Sequence, residues 1–327
     1  MNPGQVTRTD RRRQAPLGKR LRRRVEAAAF FGLLGLFRRM DPDRASQRGG
    51  WFGRRLLAPL LRSKRTYQTI ATAFPELDRD GATELIDGMA ESIGRTLGEL
   101  EHLEFFLSDA GKARFTTEGL EHLEAAKRLG KPLLFTTGHF GNFELGLAAL
   151  HHVGIQIAAV ARKPNNVAIG DYFERRRAAT GLGKLFDKGP DGTRQMVQWL
   201  KDGGNVAMFV DQHLAEGIPA PLFGQEAMTT HTPATLALSH DVTLLPGALR
   251  REGDGTHFRL VFYPPILPPH SGNAARDILA MTAEMNRFVE AEVRANPKSW
   301  LWMHPRFKPV DRLSRRARRL LEDAAQS

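Results

Sequence analysis

His139 and Glu144 are the residues whose types and spacing point most directly to chemistry. They stand in Gly138-His139-Phe140-Gly141-Asn142-Phe143-Glu144, between an apolar run, Leu133 to Thr137, and an apolar helical segment, Phe143 to Leu150. A carboxylate on one imidazole nitrogen fixes the tautomer and stabilises the imidazolium, leaving the other nitrogen to take a proton. The chain turns between the two residues, so Glu144 is expected to come back onto His139 as its orienter. Two further polar groups follow apolar runs in the same way: Arg162 after Ile155 to Ala161, and Asp211-Gln212 after Val206 to Val210. Taken singly, Arg162 can cap a carbonyl and Asp211 a helix. Taken with the His-Glu pair, they suggest one crevice.

The elements that would bring them together can be read from the pattern. Short apolar runs with β-branched residues predict strands at 133–137, 155–161, 206–210, 242–250 and 258–263. Helical spacing predicts helices at 20–40, 44–62 with a break near Gly49-Gly50, 63–74, and 80–108. It predicts further helices at 118–129 capped by Thr117, 171–180, 193–201 capped by Asp191, 232–240, and 274–294. Strands separated by helices imply an α/β fold with a mixed, largely parallel sheet flanked by helices. Parallel strands share a carboxyl edge, and ligands bind there. The division expected is a disordered basic tail (1–18), a membrane-associating helical segment (19–65), a helical lead-in (66–116), an α/β domain (117–310) and a basic C-terminal helix or tail (311–327).

Composition narrows the partners. The chain of 327 residues is long enough for a large core and has no cysteine, which excludes disulfides, zinc-thiolate sites and a cysteine nucleophile. Its net charge of +12 is carried by the ends: residues 1–65 hold 18 Lys/Arg against 4 Asp/Glu, and the stretch from Arg306 holds 7 against 3. Basic ends suit nucleic acid or an anionic membrane surface. Val25 to Phe37 is apolar except for Glu26 and is flanked by arginines. That run is shorter than the roughly 20 residues of a span, so a helix lying in the interface is expected and nucleic acid is not. Docking of this helix on its own core is the competing reading. The histidines lack metal-ligand spacing with carboxylates, so no metal is expected. No Gly-x-Ser-x-Gly elbow is present, which argues against a serine hydrolase of the usual kind.

The His-x-x-x-x-Glu box in Gly138 to Glu144 resembles the signature of the lysophospholipid acyltransferase superfamily. Its surroundings resemble the bacterial lipid A late acyltransferases, the lauroyl and myristoyl transferases. The stretches carrying the likeness are Thr72 to Leu77, Ala161 to Asn166, Phe209 to Gln212, Leu222 to Thr230 and Trp300 to Lys308. Phe143, His213 and Pro305 depart from the family's usual Trp, acid and Arg. The resemblance implies an acyltransferase of the cytoplasmic face of the inner membrane. It implies acyl carrier protein as donor, a Kdo-bearing lipid A precursor as acceptor and no cofactor. His139 would be the base with Glu144, Arg162 and Asp211 as catalytic partners. The oxyanion donors would be the backbone near Gly141-Asn142 or Arg162, which could instead clamp a phosphate. Gln212, Phe223, Gly224, Thr229, Thr230 and Arg306 would line the acceptor side. A glycerolipid or other glycolipid acceptor is the alternative within the superfamily, and a basic membrane-surface adaptor is the alternative outside enzymes.

Overall fold

A computed structural model describes residues 17–161, 166–179, 184–187 and 189–326. Its strands are β1 (Phe115–Glu118), β2 (Leu133–Thr137), β3 (Ile157–Ala161), β4 (Leu185–Asp187), β5 (Asn205–Phe209), β6 (Ile218–Leu222), β7 (Gln225–Thr229), β8 (Thr243–Glu252) and β9 (His257–Phe262). The principal helices are α1 (Leu17–Phe37), α2 (Pro42–Phe52), α3 (Lys64–Ala73), α4 (Arg79–Glu99), α5 (Leu120–Arg128), α6 (Gly146–His152), α7 (Val167–Ala179), α8 (Pro190–Lys201), α9 (Thr232–His240), α10 (Ala274–Ala295) and α11 (Arg315–Ala325). Seven strands form one sheet in the order β1-β9-β8-β2-β5-β3-β4, and β6 and β7 form a separate hairpin. The run β8, β2, β5, β3, β4 is parallel throughout; β9 is antiparallel to β8, and β1 runs with β9. The mixed, largely parallel sheet expected from the sequence is therefore present.

The strands are apolar on both faces because helices cover both. Leu134, Ala158, Val206 and Leu244 enter a core shared with α4, α8, α9 and α10. Their neighbours Leu133, Phe135, Ile157, Ala207 and Leu245 point the other way, into a core shared with α5 and α6. This is the two-residue alternation of a strand, repeated across four neighbours.

Several boundaries differ from expectation. Thr117 caps no helix; it lies in β1, opposite Leu260 of β9, and Gly119 with φ 75 turns the chain into α5. Asp191 is in the first turn of α8, but the cap is Gly189, which makes no side-chain hydrogen bond there. The helix expected to run to Ser108 changes to a 3-10 turn at Leu100–His102. The hairpin β6-β7 was not anticipated, since Pro219 and Pro221 in β6 weaken the strand signal. The expected disorder of 1–18 falls almost wholly outside the described residues.

The pair Gly49-Gly50 does not interrupt its helix; the irregular turn comes later, a π-helical Gly53–Leu57. Instead the glycines let two helices touch. A Cβ on Gly49 would stand 2.2 Å from the Gly94 carbonyl oxygen, one on Gly94 2.0 Å from that of Gly49, and one on Gly98 2.2 Å from that of Ala45. α2 and α4 thus pack backbone to backbone.

α1 is part docked and part open. Leu34 and Phe37 are buried, Phe30 and Phe31 meet the Tyr172 ring edge-on at 5.7 and 5.8 Å, and the Arg23 carbonyl accepts from Asn166 Nδ2 at 2.7 Å. Leu21, Val25 and Leu36 of α1, and Trp51, Leu56 and Leu60 after it, remain exposed. Among the described residues no helix is long and apolar enough to cross a membrane.

The glycine contact is testable. Gly94→Ala forces a methyl group against the α2 backbone, and overpacking of this kind costs about 2 kcal/mol. A lowered thermal midpoint in Gly94→Ala, with an exposed control such as Gly130→Asn unchanged, is the expected result.

Candidate active site

Strand register builds the site. The last residues of β2 and β5, Thr137 and Phe209, are partners, and Val210 N donates to the Thr137 carbonyl at 2.9 Å. Two residues beyond each lie His139 and Asp211, so the two side chains leave the same sheet edge side by side. His139 Nδ1 is 2.9 Å from Asp211 Oδ1, and the His139 backbone N–H donates to Asp211 Oδ2 at 3.0 Å. The Trp300 indole N–H donates to the same Oδ2 at 2.9 Å.

This corrects the expected orienter. The carboxylate on Nδ1 belongs to Asp211, from the neighbouring strand, in the place assigned to Glu144 from the sequence. Glu144 follows the turn and lines the cavities beside His139. Burial by itself would raise the Asp211 carboxyl. The His139 imidazole, its N–H and the Trp300 indole outweigh that and hold it below the usual carboxylate range. An ionised Asp211 requires the proton of neutral His139 to sit on Nδ1. Nε2 is then an acceptor, and the Gln212 amide Nε2 is 3.5 Å from it.

The imidazole lines one of two neighbouring cavities. One is apolar and is lined by Phe135, Leu147, Leu150, Ala207, Leu249 and Phe262, among others, in the α6-side core. The other is a larger, more polar cleft bordered by His139, Gln212, His213, Thr193 and Thr230. Phe143, Glu144 and Phe209 wall both. The Phe209 ring lies 4.3 Å from the His139 ring at 30°, and Phe143 meets it edge-on at 5.0 Å.

The loop after His139 is held from behind. Gly141, with φ 50 in the left-handed region that favours glycine, donates its N–H to the Ser299 carbonyl at 2.9 Å. Phe140 N donates to the Gly138 carbonyl. The N–H groups of His139, Phe140 and Gly141 are thus all engaged within the protein, and the expected role of Gly141 as an oxyanion donor is corrected. Asn142 is buried; its amide donates to Glu99 Oε2 at 2.6 Å and its carbonyl accepts from Leu145 N at 3.2 Å. Glu99 is buried in turn and pairs with Arg251 at 2.6 Å.

Of the remaining expected contacts, Gln212 and Thr230 face the cleft and four residues do not line it. Phe223 and Gly224 form the β6-β7 turn, where Phe223 is buried against Phe74 and Trp300. Thr229 is buried and bonds Arg306 and Asn286. Arg306 is itself buried, donating to the Met228 carbonyl and to Thr229; burial, partly offset by Asp211, pushes its guanidinium down to about 10. Its place is inside, bracing β7. Arg162 lies outside the described residues. Trp300, Glu99 and Arg251 were not singled out from the sequence as site residues. His304 was missed as well; burial lowers it, with Asp211 and His139 in electrostatic reach. Trp300 and His304 stand in a stretch that carries the family likeness, but Glu99 and Arg251 carry no local signal.

A histidine whose Nδ1 is held by a buried carboxylate at the carboxyl edge of a parallel run, with an apolar cavity beside it, is an arrangement of an α/β fold able to do proton-transfer chemistry. The chain belongs to the bacterial lipid A biosynthesis acyltransferase family, whose pattern it matches over residues 19–309. It is 26% identical over 253 residues to the lipid A biosynthesis lauroyltransferase of Escherichia coli K12, covering 76% of this chain and 79% of that one. It is 25% identical over 258 residues to the palmitoleoyltransferase of the same organism, covering 76% and 80%. A phosphatidylinositol mannoside acyltransferase of Mycobacterium tuberculosis is 26% identical over 204 residues, covering 61% and 62%. The enzyme class is acyltransferase.

Because the Asp211 carboxyl is held down in the folded state, its stabilisation is complete above the ordinary carboxylate value of about 4 and is lost as pH falls through its own lower value. Asp211→Asn is therefore expected to be less stable than the unaltered protein near pH 7, by a margin that shrinks on acidification. Urea unfolding of both across pH 3 to 7, in roughly unit steps, measures it; a margin constant with pH contradicts the assignment.

Proposed function

We propose that the protein transfers a fatty acyl group from the thioester of an acyl carrier protein to a hydroxyl of a Kdo-bearing lipid A precursor. The observation that carries this reading is the placement of His139, with Nδ1 held by Asp211, on a polar cleft whose walls Phe143, Glu144 and Phe209 are shared with an apolar cavity. Family membership supports it.

The acyl chain occupies the apolar cavity, which brings its thioester carbonyl to the His139 end. The acceptor sugar lies in the cleft with its hydroxyl on Nε2. As that oxygen attacks the carbonyl, Nε2 takes its proton, and Asp211 stabilises the imidazolium that forms. The tetrahedral intermediate collapses with cleavage of the carbon–sulfur bond, and the imidazolium returns the proton to the leaving thiolate. The step needs no acyl-enzyme and no cofactor. Gln212, the amide donor beside Nε2, is suited to meet the developing oxyanion. Arg162, which follows β3 in sequence, is a second candidate for that charge or for an acceptor phosphate. Glu144, on the wall common to both cavities, borders the reacting atoms and completes the polar set.

The exposed apolar residues of α1 and of the segment around Trp51 to Leu60, set among Arg20, Arg24, Arg38, Arg39, Arg48 and Arg55, suit the cytoplasmic face of an anionic inner membrane. The lipid acceptor would reach the cleft along that side, since Phe173 borders the cleft and lies 6.1 Å from the Phe30 ring.

Radiolabelled acyl carrier protein, offered with a Kdo-bearing lipid A precursor or a lysophospholipid, tests the reading. Product on the lipid A precursor is expected, with His139→Ala slower by about 10²–10⁴. Product on the lysophospholipid alone would replace the acceptor, and equal turnover by His139→Ala would remove the base. Chain length is a separate expectation. Ala207→Leu fills the apolar cavity from β5, so mass spectrometry of products from mixed acyl donors should show a shift to shorter chains.

A further inference from the structure

α11 carries a cationic face that neither folding nor the chemistry above explains. Ser314 caps the helix, and Arg315, Arg316, Arg318 and Arg319 follow within its first turn and a half, with Arg312 just before. All five are exposed, and none has an ion-pair partner among the described residues. A helix N-terminus is already the positive end of the helix dipole, so cations there destabilise it and acids would be the stabilising choice. The acids of α11, Glu322 and Asp323, lie instead in its later turns. An arrangement that works against helix stability and is left without counter-ions calls for an anionic partner.

The geometry distinguishes among partners. A helix that inserts in a bilayer turns apolar residues outward beside its cations, as α1 does. In α11 the larger apolar surface is turned inward: Ala317 and Ala324 are buried, and Leu320, with Leu313 just before the helix, packs against the core around α10. The helix is further tied down by Asn273 Nδ2 to the Asp323 carbonyl and Arg276 Nε to the Ala324 carbonyl, at 2.9 and 2.8 Å. What it offers to solvent at its N-terminal end is charge on a rigid support, which suits a folded acidic protein surface.

Position ties the face to the site. Arg316 is in electrostatic reach of His231, which begins α9 and stands between Thr230 and Thr232, both on the cleft. The cleft thus has α1, with its exposed apolar side chains, near its Phe173 border, and the arginines of α11 near its Thr230–Thr232 border. A lipid acceptor and a protein-borne donor would not compete for one approach.

We infer that the arginine face of α11 is the docking surface for the acidic carrier protein that delivers the acyl thioester. This rests on the thioester-donor reading above and adds the place and residues of delivery. The test compares the full-length enzyme with a variant combining Arg315→Glu, Arg316→Glu, Arg318→Glu and Arg319→Glu. Each is assayed with acyl-acyl carrier protein and with the uncharged S-acyl pantetheine as donor, and for flotation on phosphatidylglycerol-containing vesicles. Acids at the start of a helix favour it, so the variant is expected to fold. KM for the carrier-bound donor should rise about tenfold or more and its salt dependence should flatten, as for other steered protein encounters. Saturating turnover, pantetheine turnover and flotation should be unchanged.

An unaltered KM for the carrier-bound donor overturns the proposal while leaving the donor reading in place. Loss of flotation with KM retained assigns the face to lipid and overturns it too. Loss of pantetheine turnover, repeated in the milder set of four Arg→Gln changes, gives the helix a purely structural role. If the unaltered enzyme shows no preference for carrier-bound over pantetheine-bound acyl groups, the donor reading itself fails, and the docking face with it.

Discussion

The site depends on the register between β2 and β5. With Thr137 opposite Phe209, the chain exits both strands at the same height, and the next side chains able to meet across the gap are His139 and Asp211. A slip by one residue would turn every side chain of β2 to the other core and separate the pair. The register is protected by that same penalty, since Leu134 and Phe135 are buried on opposite faces. Packing of the sheet and geometry of the His139–Asp211 pair are therefore one constraint.

Around this pair lies a set of buried polar groups that would be costly if unmatched and are mostly matched. Asp211 accepts from an imidazole, a backbone N–H and an indole; Glu99 accepts from Asn142 and pairs with Arg251; Arg306 finds a carbonyl and a hydroxyl. Each link joins segments far apart in the chain. Glu99 closes α4, Asn142 follows β2 and Arg251 lies near the end of β8, so the turn carrying Phe143 and Glu144 is fastened to the helical lead-in as well as to the sheet. Buried ion pairs of this kind fix an arrangement more surely than they add stability.

Much of the sheet was legible in the sequence, because strands buried on both faces write long apolar runs. β2 and α9 were located to the residue, and β3, β5, β8, β9 and α10 to within two. What escaped was short, proline-bearing or at an edge: β1, β4 and the β6-β7 hairpin. Convergence of His139 with Asp211-Gln212 at one sheet edge was also legible, from the shared ends of parallel strands. The partner of His139 was misassigned because spacing along the chain favoured Glu144, whereas the contact is made across strands. Arg306, Phe223 and Thr229 stood in two stretches resembling the family and were read as acceptor contacts. Their burial shows that a segment can be distinctive for holding a wall up rather than for facing what lies inside it.

The bond from Gly141 N–H to the Ser299 carbonyl, with the Trp300 indole on Asp211, fastens the histidine loop to a segment some 160 residues further along the chain. During synthesis the sheet edge bearing His139 and Asp211 can form well before residue 300 leaves the ribosome. Until it does, Asp211 lacks its indole donor and the loop lacks its backing. However early its other elements fold, a growing chain would thus hold an unfinished site until the segment around residue 300 has been made.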